Sequence, residues 1–137
     1  MTPEFSVPIR VYYEDTDTGG VMYHANYLRF MDRARTEWLR ALGFELDELL
    51  RQHGILFAVR SVTIDFLKPA RFNDVLHVTV ALGRCGAASM TVHQRLQRDD
   101  LVLCEAEVKM ACINAETFLP CTLPQTVATR LTTGGVV

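Results

Sequence analysis

Asp15, Asp17, the Gly19-Gly20 pair and His24 crowd into ten residues, directly ahead of a stretch with helical periodicity. Carboxylates and an imidazole can move protons. Irregular backbone entering a helix N-terminus is also a common anion site, because the first amides lack intrahelical acceptors and the helix dipole favours negative charge. Plainer readings compete with these. Asp15 and Asp17 can simply shape a turn through hydrogen bonds to nearby backbone. Gly19 and Gly20 permit positive φ or the close approach of a substrate, and equally a flexible turn. A metal held by Asp15, Asp17 and His24 would have one nitrogen and two oxygen ligands, a weaker set than open zinc sites usually assemble; no metal is expected.

The elements around this string follow from hydrophobic periodicity. Val7, Ile9, Val11 and Tyr13 alternate, which predicts a strand over residues 7–13, with Pro8 suiting an edge. Tyr27, Leu28, Met31, Ala34, the stem of Arg35, Trp38 and Leu42 recur at helical spacing, with Asn26 a candidate N-cap and Gly43 a stop. "DELLRQHG" reads as a second helical piece ended by Gly54. Beyond it the period becomes two. Ile55, Phe57 and Val59 alternate in one phase and Val62, Ile64 and Phe66 in the other, so a bulge is expected near Arg60-Ser61. Leu76 to Leu82, Met90 to Leu96 and Val102 to Cys112 supply three more strands, and Asp99-Asp100 suits a tight hairpin. Short connections make neighbouring strands antiparallel. The expected domain is α+β, a five-stranded antiparallel sheet curved around one central helix. Its open edges and one-sided cover predict at least a dimer.

The 137 residues suit a single domain, with 49% hydrophobic and 22% charged residues. A formal net charge of -2 argues against a general nucleic-acid binder. No apolar run reaches the roughly 20 residues of a membrane span, and the first residues do not read as an export signal, so a cytoplasmic protein is expected. Cys85, Cys104, Cys112 and Cys121 lack any C-x-x-C spacing and read as reduced, mostly buried thiols. The tail "TTGGVV", residues 132–137, reads as loose.

"VYYEDTDTGGVMYHANYLRFMDRARTEWLR" closely resembles the signature of the hotdog-fold acyl-CoA thioesterases of the 4-hydroxybenzoyl-CoA thioesterase superfamily, nearest their Tol–Pal-associated (YbgC-like) branch. The likeness continues through "TIDFLKPARFNDVLHV", "HQRL" and "CEAEVKMACIN", roughly residues 7 to 124. It implies a hotdog fold in a homodimer or homotetramer with shared active sites, and hydrolysis of acyl-CoA thioesters without a metal or organic cofactor. It also implies that Asp17 is the catalytic carboxylate, activating water or forming a mixed anhydride, and that the His24 backbone amide donates to the oxyanion.

The His24 side chain could orient the thioester, donate to the leaving sulfur or hold the loop. Tyr13, Tyr23 and Tyr27 could line an acyl pocket or fill core. Gly20 and Ser61 are further substrate-binding candidates. Coenzyme A carries phosphates, so Arg60, Lys68, Arg71 and Arg84 are candidates for a basic rim; Arg84 falls slightly early in its turn for the family pattern. The expected substrates are short-to-medium-chain or aromatic acyl-CoAs. The alternatives are a hotdog hydratase or dehydratase, which would need a His base paired with an acidic residue on the helix that His24 and Glu37 imitate poorly, and a non-catalytic acyl-binding or scaffolding protein.

Overall fold

The computed structural model describes residues 4–133. Strand β1 (Phe5–Arg10) leads through a 3-10 turn (Tyr13–Asp15) and a small hairpin into helix α1 (His24–Ala41). Helix α2 (Leu46–His53) follows, then β2 (Ile55–Phe66), β3 (Val75–Cys85), β4 (Ser89–Arg98), β5 (Leu101–Asn114) and helix α3 (Gln125–Thr133). The strands form one antiparallel sheet in the order β1-β3-β4-β5-β2. The sheet lies against α1, which contacts β1, β3 and β4. This is the α+β arrangement that the periodicity predicts, and the hotdog architecture that the resemblance implies. No helix among the described residues is long and apolar enough to cross a membrane.

Burial explains why α1 sits where it does. Tyr27, Phe30, Met31, Ala34, Trp38 and Leu39 are buried on its inner face, each large apolar side chain worth about 1.5–3 kcal/mol when removed from water. The facing strand positions, Leu76, Val78, Val80, Met90, Val92, Leu96, Val108 and Met110, are all buried. Two of the predicted stripe positions behave differently. Leu28 is exposed, and Phe30, absent from the expected stripe, is fully buried. Arg35 is buried, but by more than its stem. Its Nη1 donates to Gln94 Oε1 at 2.9 Å, and Gln94 Nε2 donates to the carbonyls of Met31 and Thr79 at 3.1 and 3.2 Å. Burial pulls the Arg35 guanidinium below its ordinary value, opposed by exposed Asp32. A buried polar bridge thus joins helix to sheet where alternation alone suggests apolar packing.

Other boundaries move for local reasons. The first strand ends at Arg10, not at residue 13; Val11 remains buried, whereas the 3-10 turn swings Tyr13 into solvent. The bulge in β2 falls between Val59 and Ser61, as the phase slip requires. A second irregularity, at Leu96/Gln97, buries Leu103 in place of Val102. The Asp99-Asp100 turn closes the β4–β5 hairpin, with Asp99 at φ 51. The core extends past residue 124, because α3 buries Val127 and Leu131. Of the tail read as loose, Thr132 and Thr133 end α3; residues 134–137 lie outside the described residues.

Gly43 and Gly54 end their helices at φ 98 and φ 64. A Cβ at Gly43 would meet Arg130 Nη1 at 2.6 Å, and that atom donates to the Leu42 carbonyl at 2.7 Å. Nothing within 4 Å opposes a Cβ at Gly54. Gly54→Ala is therefore expected to cost about 1–2 kcal/mol of left-handed strain. Gly43→Ala adds the loss of a charge-assisted hydrogen bond, about 1.5–3 kcal/mol more. Urea unfolding of both variants checks this, and equal losses at the two sites would contradict it.

Candidate functional site

The loop ahead of α1 is a built structure. Asp15 is buried, its Oδ2 accepting the Tyr12 N–H at 2.8 Å and its Oδ1 accepting Asn26 Nδ2 at 2.8 Å. Its carbonyl accepts the Tyr23 N–H at 2.9 Å. Asn26, a predicted N-cap, is instead the buried clamp that fixes this loop to the helix; Tyr23 occupies the N-cap position and α1 begins at His24. Between these anchors residues 16–22 fold into a small hairpin. Thr16 pairs with Met22, the Asp17 N–H donates to Val21, and the Gly20 N–H returns to the Asp17 carbonyl at 3.0 Å. Gly20, at φ 79, makes that turn possible.

Asp17 stands exposed on this hairpin, and its Oδ1 accepts the Gly19 N–H at 2.8 Å. The two aspartates therefore divide the work. Asp15 is consumed in holding the loop, whereas Asp17 keeps Oδ2 outside the turn. Within the single chain Asp17 is not part of the lining of the groove at the helix mouth.

That groove, of about 250 Å³, is walled by Met22, His24, Tyr27, Phe66, Leu67, Lys68 and Pro69. Among the described residues no acceptor faces the His24 N–H, which opens the first turn of α1. The His24 ring is exposed, 4.4 Å from the Tyr23 ring and edge-on to Phe66. Tyr27 is only 4% exposed and packs edge-on against Phe66. Its hydroxyl accepts the Ala70 N–H at 3.0 Å, and burial raises the phenol above its ordinary value, partly offset by that hydrogen bond. Tyr27 thus contributes a wall and a brace. The Leu67 and Lys68 amides both bond the Leu103 carbonyl, which fixes the opposite wall.

Asp17, Gly20, Tyr23, His24 and Tyr27 are thus brought to one end of α1. Ser61 and Arg84 are not. Register places Ser61 opposite Lys109 and Lys109 opposite Thr91, while Arg84 lies in the β3 irregularity between Leu82 and Cys85. These residues run as a row across the sheet face turned away from α1. Arg84 shares a cavity there with Gly83, Thr91, His93, Glu107 and Lys109. Of the candidate basic rim, Lys68 lines the groove and Arg71 bridges to Val21. Phe66, Leu67 and Pro69 join the site with no signal in the sequence beyond their neighbour Lys68 and the "FLKPAR" turn. No cysteine among the described residues lines this groove. Cys104 is held up to about 12 by burial, reinforced by Asp65 and Glu105.

Comparison with known proteins bears on this geometry. Residues 11–131 match the model of the thioesterase-like superfamily. The chain is 44% identical over 123 residues to the acyl-CoA thioesterase YbgC of Haemophilus influenzae, covering 90% of each chain. It is 39% identical over 127 residues to the acyl-CoA thioester hydrolase YbgC of Escherichia coli O6:H1, covering 92% of this chain and 94% of that one. A probable thioesterase from Bartonella henselae superposes with a TM-score of 0.86 at 35% identity, over 89% of this chain and all of the other.

Proposed function

The chain belongs to the thioesterase-like superfamily, and on that premise we propose that it is an acyl-CoA thioester hydrolase whose reacting centre lies at the mouth of α1. The observation that carries this reading is the His24 N–H, without an acceptor among the described residues, opening beside an apolar groove and next to the Asp17 hairpin. A thioester carbonyl oxygen laid on that amide would be polarised by the helix N-terminus, and the tetrahedral oxyanion would be held there as it forms. Asp17 would attack the carbonyl carbon or deprotonate the attacking water; the thiolate of CoA would then leave. The apolar walls of Met22, Tyr27, Phe66 and Pro69 favour a short-to-medium or aromatic acyl group.

A second copy of the chain completes this reading. Strand β2 is an open edge of the sheet, and Val59, Phe66 and Leu67 on or beside it are 48–50% exposed. Pairing two β2 edges would cover them and extend the sheet. It would give a homodimer or a pair of dimers, with sites shared across the paired edge.

Hydratase chemistry has less support. Glu37 lies thirteen residues beyond His24 on α1, about 20 Å along the axis, and is engaged with Arg40. The two cannot act as a pair within one chain.

The test is thiol release from acyl-CoAs running from acetyl to palmitoyl, with benzoyl added. Turnover is expected to peak among the short-to-medium or aromatic members. Binding without thiol release across the whole panel would remove the enzymatic reading and favour a non-catalytic acyl binder. Because the proposed donor is the main-chain amide, His24→Ala should retain far more activity than a charge-removing change at Asp17. A loss as large as that at Asp17 would assign the imidazole a direct part.

A further inference from the structure

Cys112 and Cys121 oppose each other across the isolated bridge formed by Ile113 and Pro120. Their Sγ atoms are 3.6 Å apart, and the Cys121 N–H donates to the Cys112 carbonyl at 2.9 Å. Directly opposed residues on antiparallel strands hold their Cα atoms about 4.5–5.5 Å apart, inside the range of about 4.4–6.8 Å that a disulfide spans. Side-chain rotation is enough to close the remaining gap. Both thiols are free; Cys112 is buried and Cys121 is half-buried. Cys85 and Cys104 have no thiol partner among the described residues.

We propose that Cys112 and Cys121 form a redox-active dithiol, a modification site at which a low-molecular-weight disulfide is reduced and an intramolecular cystine is made. The more accessible Cys121 loses its proton and attacks one sulfur of the incoming disulfide, breaking its S–S bond and releasing one thiol. Cys112, in contact with the mixed disulfide, then gives up its proton and attacks Cys121 Sγ, expelling the second thiol. Two protein thiols lose two electrons and two protons; one small disulfide gains them and becomes two thiols. The order follows from access and acidity. Cys121 is half-buried and Cys112 buried, and burial, helped by the contact with Cys121, raises the Cys112 thiol above its ordinary value, which makes it the poorer first nucleophile.

The cross-link would act on the last element of the fold. It ties the strand-like segment at Pro120-Cys121 to β5, and that segment leads through Leu123 into α3. Val127 and Leu131 bury α3 in the core, and Arg130 bonds the Leu42 carbonyl at the end of α1. Closing the disulfide therefore fastens the C-terminal segment, independently of any thioesterase chemistry.

The test equilibrates the native protein with mixtures of reduced and oxidised glutathione, quenches in acid, alkylates free thiols and maps the peptides. Oxidising mixtures should lower the intact mass by two hydrogens, join Cys112 to Cys121 and leave Cys85 and Cys104 free. The oxidised protein should melt higher than the reduced one by about 5 °C or more. Cys112→Ser should instead trap a glutathione adduct at Cys121. Four alkylatable thiols at every mixture would overturn the proposal, as would a cystine elsewhere or adducts on the native chain that never resolve to a link. Should the serine variant fail to fold, peptide mapping of the native chain alone decides.

Discussion

Asp17→Asn lowers the rate of thiol release from acyl-CoA by at least about a hundredfold, the lower end of what general acid–base catalysis contributes, and leaves the melting temperature nearly unchanged. Both halves of this expectation come from the same geometry. The side chain is exposed, and its recorded hydrogen bond is the 2.8 Å contact from the Gly19 N–H to Oδ1. An asparagine oxygen can accept that bond in the same place, so the hairpin is kept while the negative charge and the nucleophilic oxygen are removed. Steady-state kinetics with a thiol reagent, paired with thermal unfolding, separates the two. Unchanged turnover would mean that Asp17 only shapes the turn, the plainer reading of paired aspartates.

Asp15→Ala is expected to have the opposite signature, with stability and activity falling together. Its carboxylate satisfies the Tyr12 N–H and the buried Asn26 amide with different oxygens. Removing it strands the buried Asn26 amide, at about 1–3 kcal/mol, and loses the hydrogen bond of the part-buried Tyr12 N–H, about 0.5–1.5 kcal/mol, so the summed loss is about 1.5–4.5 kcal/mol. Asn26 would no longer hold the loop to the first turn of α1, and the spacing between the Asp17 hairpin and the His24 amide would loosen. Asp15→Asn is the informative control. One amide oxygen can replace only one carboxylate oxygen, and its NH2 would face another donor, so about half the loss should remain. Urea titration of the three proteins gives the ranking; an Asp15→Ala protein as stable as the native one would show that the clamp contributes nothing.

Legibility in the sequence depended on whether a residue's job repeats. Alternation along "VLHVTVAL" and helical spacing along "YLRFMDRARTEWL" repeat a single burial requirement many times, so the strands and α1 could be read despite misplaced ends. The β2 bulge was readable because two phases of alternation met at Arg60-Ser61. Roles settled by one distant partner left no such trace. Gln94 interrupts an apolar face because Arg35 reaches it across the sheet–helix gap, and Asn26 looked like a cap because its partner Asp15 lies eleven residues back. Helix α3 leaves little trace in the sequence because only Val127 and Leu131 of its polar run are buried. At the site, the resemblance already singles out Asp17 over Asp15, whereas the part Asp15 plays in bracing the loop emerges only from its hydrogen bonds. The far wall, Phe66 to Pro69, joins the groove through pairing with β5, which one-dimensional spacing does not reveal.

The central claim is a placement: a thioester carbonyl oxygen on the His24 amide with the Asp17 carboxylate beside its carbon. A crystal structure with a non-hydrolysable acyl-CoA thioether ketone tests it most directly. The account predicts the ketone oxygen about 2.7–3.1 Å from the His24 nitrogen, an Asp17 oxygen about 3–3.5 Å from the ketone carbon or hydrogen-bonded to a water at that distance from it, and the acyl group against Tyr27 and Phe66. An analogue bound with its ketone away from the α1 N-terminus, or with Asp17 still turned into solvent, would contradict it.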